Sequence, residues 1–182
     1  AIHNDNTFTN EAGESNIDRI LSNRKAILNN SGTFTNKAII HIGANTEAGS
    51  EGIENRASFN NDAGEINIDR TSERGILNKG TFTNSATINI GANASVGSFG
   101  IEIKALPTGS FINEAGEINI DRSTFDGLSI PSGVFRNRAN INIGCNSNTI
   151  STGLYCDGPF INESGELIIK NTTSRALQVT SG

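Results

Sequence analysis

A phenylalanine followed two residues later by an asparagine recurs seven times along the chain, and this recurrence limits the folds open to it. The segments centre on Phe8, Phe34, Phe59, Phe82, Phe111, Phe135 and Phe160, at spacings of 26, 25, 23, 29, 24 and 25 residues. A period of roughly 20–50 residues signals a solenoid, a propeller or another array. Each repeat carries two further landmarks. One is an Ile-x-Ile element, as in Ile66-Asn67-Ile68 and Ile118-Asn119-Ile120; the other is a small residue before Ile or Leu, as in Gly75-Ile76 and Gly127-Leu128. Three short apolar segments per repeat, separated by Asn, Gly and Ser, leave no room for an amphipathic helix. A propeller blade needs about 40–45 residues, and the frame of a leucine-rich repeat is absent. The pattern predicts an all-β fold, a three-sided right-handed parallel β-helix of about seven coils, the hand being the usual one for parallel crossovers.

In such a solenoid each residue stacks on its counterpart one coil away, about 4.8 Å along the axis. The column Asn10, Asn36, Asn61, Asn84, Asn113, Asn137 and Asn162 is then a corner ladder of hydrogen-bonded amides, at a position that tolerates left-handed backbone. A second run, Asn4, Asn29, Asn55 and Asn78, gives way to Ile103, Ile130, Cys156 and Val179. The coils alternate in type. Odd coils read as Asn113 to Arg122, with an extra corner glycine (Gly13, Gly64, Gly116, Gly165), whereas even coils read as Asn84 to Asn93. The column after the ladder runs Glu11, Lys37, Asp62, Ser85, Glu114, Arg138, Glu163, so acids never meet in adjacent coils. Alternating signs at this spacing give weak pairs that set register.

One domain is expected over residues 1–182, with coils starting near 1, 26, 52, 75, 100, 127 and 153 and a partial last coil at 176–182. The 26 Asn and 25 Ile are the compositional trace of the ladders. A net charge of −5 and a pI near 5.0 argue against a nucleic-acid binder, which needs a basic face. No run of about 18 apolar residues is present, so no membrane insertion is expected. The chain begins on Ala1 rather than Met, which suggests a processed form, and it shows no signal peptide.

Few residues suggest chemistry. The recurring Asp18-Arg19, Asp69-Arg70 and Asp121-Arg122 could supply carboxylate pairs, since stacked Asp residues two coils apart lie about 9–10 Å from one another. Inverting glycosidases space theirs by about 6.5–9.5 Å. These residues are the repeat rather than an exception to it, so exposed Asp–Arg corner pairs are the expectation. His41 fills an outward slot otherwise held by Asn16, Asn67, Asn89, Asn119 and Asn142, and neither it nor His3 has the partners of a metal or acid–base site. That outward Asn column could hold sugar or ordered water, but a solvated β-face explains it. No catalytic residue, metal or cofactor is expected. A flat Thr face of the kind that binds ice is broken, because Thr9 and Thr35 are followed in their column by Asn60, Thr83, Ile112, Arg136 and Ile161. Cys145 and Cys156, eleven apart, suggest a disulfide closing one corner loop in an oxidising compartment; two reduced buried thiols are the alternative.

The wording F-x-N-x-x-x-I-N-I, seen at Phe82 to Ile90, resembles the β-helical repeat regions of bacterial secreted and surface proteins, adhesin-like stalks among them. The resemblance implies an extracellular or cell-surface location. The chain opens on a first strand (Ala1, Ile2, Asn4) and closes on an equivalent one (Ala176, Leu177, Val179), with no capping helix. Open solenoid ends offer unpaired backbone groups to another chain. The first expectation is therefore a non-catalytic structural protein stacking head to tail with itself into a fibre or surface stalk. A segment of a longer solenoid would present the same ends. A glycan-binding adhesin module is the alternative, and a polysaccharide lyase or hydrolase the third choice.

Overall fold

In the computed structural model, which describes residues 1–104, 109–147 and 150–180, the chain is a parallel β-solenoid of seven coils. Every strand pairs in parallel with its equivalent about one repeat later, and three sheets result. Sheet 1 has eight strands, from Ile2–Asn4 to Arg175–Val179; sheets 2 and 3 have seven each, running from Thr7–Asn10 to Phe160–Asn162 and from Glu14–Ile17 to Leu167–Ile169. The eighth strand of sheet 1 is the partial last coil; Ser181 and Gly182, assigned to it from the sequence, lie outside the described residues.

The register is the one the repeat dictates. Phe82 lies opposite Phe59 and Phe111, and Ile88 opposite Ile66 and Ile118. Successive Phe rings stack with centroids 4.6 Å apart in the middle of the rod, opening to 5.5 Å between Phe135 and Phe160. Side chains alternate along sheets 2 and 3, so Phe and Ile line the interior and polar residues face out. Sheet 1 departs from this alternation. Its small residue and the following Ile both face the core, where a Cβ at Gly75 would come within 2.8 Å of Ile90 Cγ2. Glycine at this column lets sheets 1 and 3 close together at their shared corner.

Two asparagine ladders run inside the rod. In the first, Asn10 donates to Asn36, and the chain of amides continues through Asn61, Asn84, Asn113 and Asn137 to Asn162 at 2.8–2.9 Å. None of these residues has positive φ; among the described residues the left-handed non-glycine ones are Arg19, Arg70 and Asn171, so the expected link between that ladder and left-handed backbone does not hold. The second ladder passes from Asn4 through Asn29 and Asn55 to Asn78, whose amide ends on the Ser110 carbonyl. Each buried amide meets the next, which removes the cost of about 1–3 kcal/mol that an unpaired buried polar group carries.

Candidate functional site

The recurring Asp and Arg residues do not pair with each other. Asp69, 4% exposed, accepts from the backbone N–H groups of Asn93 and Ala94 and from the Asn93 amide, all on the next coil. Arg70 reaches the other way, donating to the Gly43 and Ala44 carbonyls of the preceding coil. Asp121 and Arg122 repeat the arrangement with Asn146 ahead and Gly91 and Ala92 behind. Asp18 takes Asn45 and Thr46 ahead. Exposed corner pairs are thus replaced by a clasp that grips both neighbours of an odd coil. The even corner must turn tightly to receive it: Gly43, Gly91 and Gly144 all have φ near +70°, and a Cβ at Gly43 would strike the Asp69 carbonyl. The hydrogen bonds from Asn45, working against partial burial, hold the Asp18 carboxyl below the usual range. With every carboxylate engaged in capping backbone, this column offers no free acid–base pair.

A denser set of charges lies on the outer face of sheet 1. Glu51, Glu54 and Glu102 are buried there, each against cations from other coils. Arg74 bridges Glu51 at 3.0 Å and Glu102, and it also contacts Glu73. Glu54, 1% exposed, accepts from Lys79 and Arg56 at 2.7 Å, with Lys25 at 3.5 Å. Burial opposes its charge, but the bonds from Lys79 and Arg56 prevail and its carboxyl titrates below the ordinary range. Asp126 has no salt-bridge cation among the described residues: burial and the nearby Glu102 push it up, against the pull of hydrogen bonds from Ser129 and Thr152. Sequence reasoning missed this lattice, although its signal was present in the aligned column Lys25, Glu51, Arg74.

The corner column of alternating charge forms as expected where a base is present. Lys37 meets Glu11 at 3.3 Å, and Arg138 sits between Glu114 and Glu163 at 2.6 Å from each. The outward asparagines of sheet 3 form a third ladder, with Asn142 on Asn119, Asn119 on Asn89 and Asn89 on Asn67. The amides of Asn89, Asn119 and Asn142 donate along this column, and those of Asn89 and Asn142 also donate to Glu65 and Glu117. His41 holds its slot in that column, 3.5 Å from Glu14, and His3 lies 3.4 Å from Asp5.

Cys145 and Cys156 are free thiols, so the expected disulfide is not formed. The strand Thr152–Cys156 separates them, and at about 3.3 Å per residue it carries Cys156 some 13 Å beyond its own start. Cys156 faces the core between Ile130 and Val179, where burial, with a lesser push from Asp157, raises its thiol to about 11. Cys145 takes the corner place of Ala44 and Ala92.

The two coil faces differ from the walls. At the C-terminal face Leu177 and Val179 are 55% and 64% exposed, and with Leu154, Cys156, Phe160 and Leu167 they line a cavity of about 660 Å³. Ala176 is exposed beside them. At the N-terminal face Phe8 is 36% exposed and Ala1 is open, while Ile2 is half covered and Asn4 is buried. Ala1 and Ile2 also border a groove of about 580 Å³ with Arg19, Leu21 and Arg24. Among the described residues no group of three or more His, Cys, Asp or Glu side chains is placed to hold a metal. No family model, curated protein or solved structure matches the chain.

Proposed function

We propose that this chain is a non-catalytic structural rod, which extends a fibre or surface stalk by stacking β-solenoid coils end to end. The observation that carries the reading is the contrast between walls and ends. Along the walls the buried polar side chains are matched, Thr71 Oγ1 being the exception among the described residues. At the C-terminal face Leu177 and Val179 are exposed and Phe160 is partly so, and all three line an open recess. A surface that has been built coil on coil seven times is complementary to one more coil. Head-to-tail stacking of a second copy, with Arg175–Val179 adding to the neighbour's sheet 1, is the form of assembly that the pure chain could display. A place outside the cell or on its surface rests on the resemblance to stalk repeats.

Sedimentation velocity and negative-stain microscopy across a concentration range test this. Seven coils make a rod of about 34 Å, so stacked particles should be multiples of that length. The double variant Leu177→Asp, Val179→Asp should remain single while keeping its β-sheet circular dichroism. Discrete monomers of the unaltered chain at millimolar concentration would sink the reading.

A further inference from the structure

Every odd coil after the first leans on the even coil before it through a fixed set of contacts. The even coil's asparagine amide donates forward: Asn36 to Asn61, Asn84 to Asn113, Asn137 to Asn162. Its glycine corner presents carbonyls that the odd coil's corner residue grips, Gly43 and Ala44 for Arg70, Gly91 and Ala92 for Arg122, and Gly144 for Asn171. In coil 6 it also sets a base, Arg138, against the acid Glu163.

The first coil is odd and holds its half of each contact with nothing beneath it. Arg19 has φ 58°, close to the 51° of Arg70, yet its side chain is exposed and makes no carbonyl contact among the described residues. Asn10 Oδ1 receives only a 3.4 Å bond from Ser15 in place of an incoming amide. Glu11 has Lys37 above it, and Phe8 has a ring on one side only. Coil 7 differs at its corner. Lys170 stands where Asp18, Asp69 and Asp121 stand, so coil 7 has no carboxylate with which to clasp a following coil.

We infer that the N-terminal coil face is an interface for a β-solenoid segment whose last coil is of the even type. Such a coil offers a glycine corner for Arg19, an amide donor for Asn10, a ring for Phe8 and, where it carries a base, a partner for Glu11. The C-terminal coil of a second copy is a poorer occupant. It is odd, so Glu163 would lie under Glu11, and it presents Lys170-Asn171 where Arg19 needs a glycine corner. Its extra strand Arg175–Val179 would pair with Ile2–Asn4 but would leave sheets 2 and 3 one strand short at the junction. This inference rests on the coil-stacking reading above and names the coil that fits; identical chains should stack more weakly than chains on an even coil.

Two N-terminal fusions of the full chain test it. One adds a copy of residues 26–51, an even coil, and the other a copy of residues 153–175, the odd coil that a second copy would bring. Both join Ala1 in register, because Ala1 aligns with Gly52 and with Ala176. The even fusion should slow amide exchange over residues 8–20 by roughly tenfold and raise the Tm, as a buried charged hydrogen bond would. Arg19→Ala should remove that gain while leaving the unfused chain unchanged, and the odd fusion should give little protection. Equal protection from the two coils, no protection from the even coil, or indifference to Arg19→Ala would each overturn the inference. None of these readouts needs self-association, so they fail separately from the stalk reading.

Discussion

Replacing Asn84 by Ala would leave the Asn61 amide without its acceptor and Asn113 Oδ1 without its donor, both inside the rod. Replacing Asn89, on the outer wall, would break similar bonds to Asn67 and Asn119, but water can take their place. Asn84→Ala should therefore cost about 2–4 kcal/mol in urea unfolding and Asn89→Ala well under 1. Equal costs would mean that the inner ladder is no more than a spacer. Both columns were legible in the sequence, because a ladder repeats the same residue at the same place in each coil. The corner clasps were not. Asp69 and Arg70 are adjacent in sequence, which suggests a pair, but their partners lie 24–27 residues away on opposite sides. A left-handed turn at Arg70 accompanies this, but Arg122 reaches back in the same way without one, so no local signal in the sequence announces the split.

At the scale of the strand, the charges on sheet 1 were hidden for a related reason. Two consecutive inward residues break the alternation, so Glu51 and Glu54 share a face although they are three apart. A plain period of two would have put them on opposite faces. The lattice they form has a pH signature. The folded pKa of Glu54 lies below its ordinary 4.5, so its contribution is complete above that value and is lost as pH falls through the depressed one. Asp126 runs the other way, since its folded pKa is raised: it favours the fold below 3.8 and loses that contribution as pH rises through the raised value. The stability gap between the unaltered chain and Glu54→Gln should be widest near neutrality and should close below about pH 4.5. Urea unfolding at a series of pH values measures it, and a gap constant with pH would show that the carboxylate's charge is not what the lattice uses.

For the whole molecule, the strands of each coil pair only with those of its neighbours, with a long Ser72–Ser22 hydrogen bond as a link across two coils, so stability should behave as a sum of coil and seam terms rather than as one block. The seams are not equal. The rings of Phe34, Phe59, Phe82, Phe111 and Phe135 are fully buried, whereas Phe8 and Phe160 are not. The strand Phe160–Asn162 is three residues long and half open, and Arg175–Val179 has a single neighbour in its sheet. Fraying should begin at the two coil faces and move inward, with the C-terminal one leading because its core side chains are the more exposed. Native-state amide exchange should give the highest protection in coils 3 to 5, a fall toward both ends, and the lowest values in Leu167–Ile169 and Arg175–Val179. Since the seam next to a strand depends on what lies beyond it, assembly should raise protection at the ends far more than in the middle. Protection that is uniform along the rod, or that rises equally everywhere on assembly, would show a single cooperative unit and remove the basis for treating the coil faces as the adaptable part of the molecule.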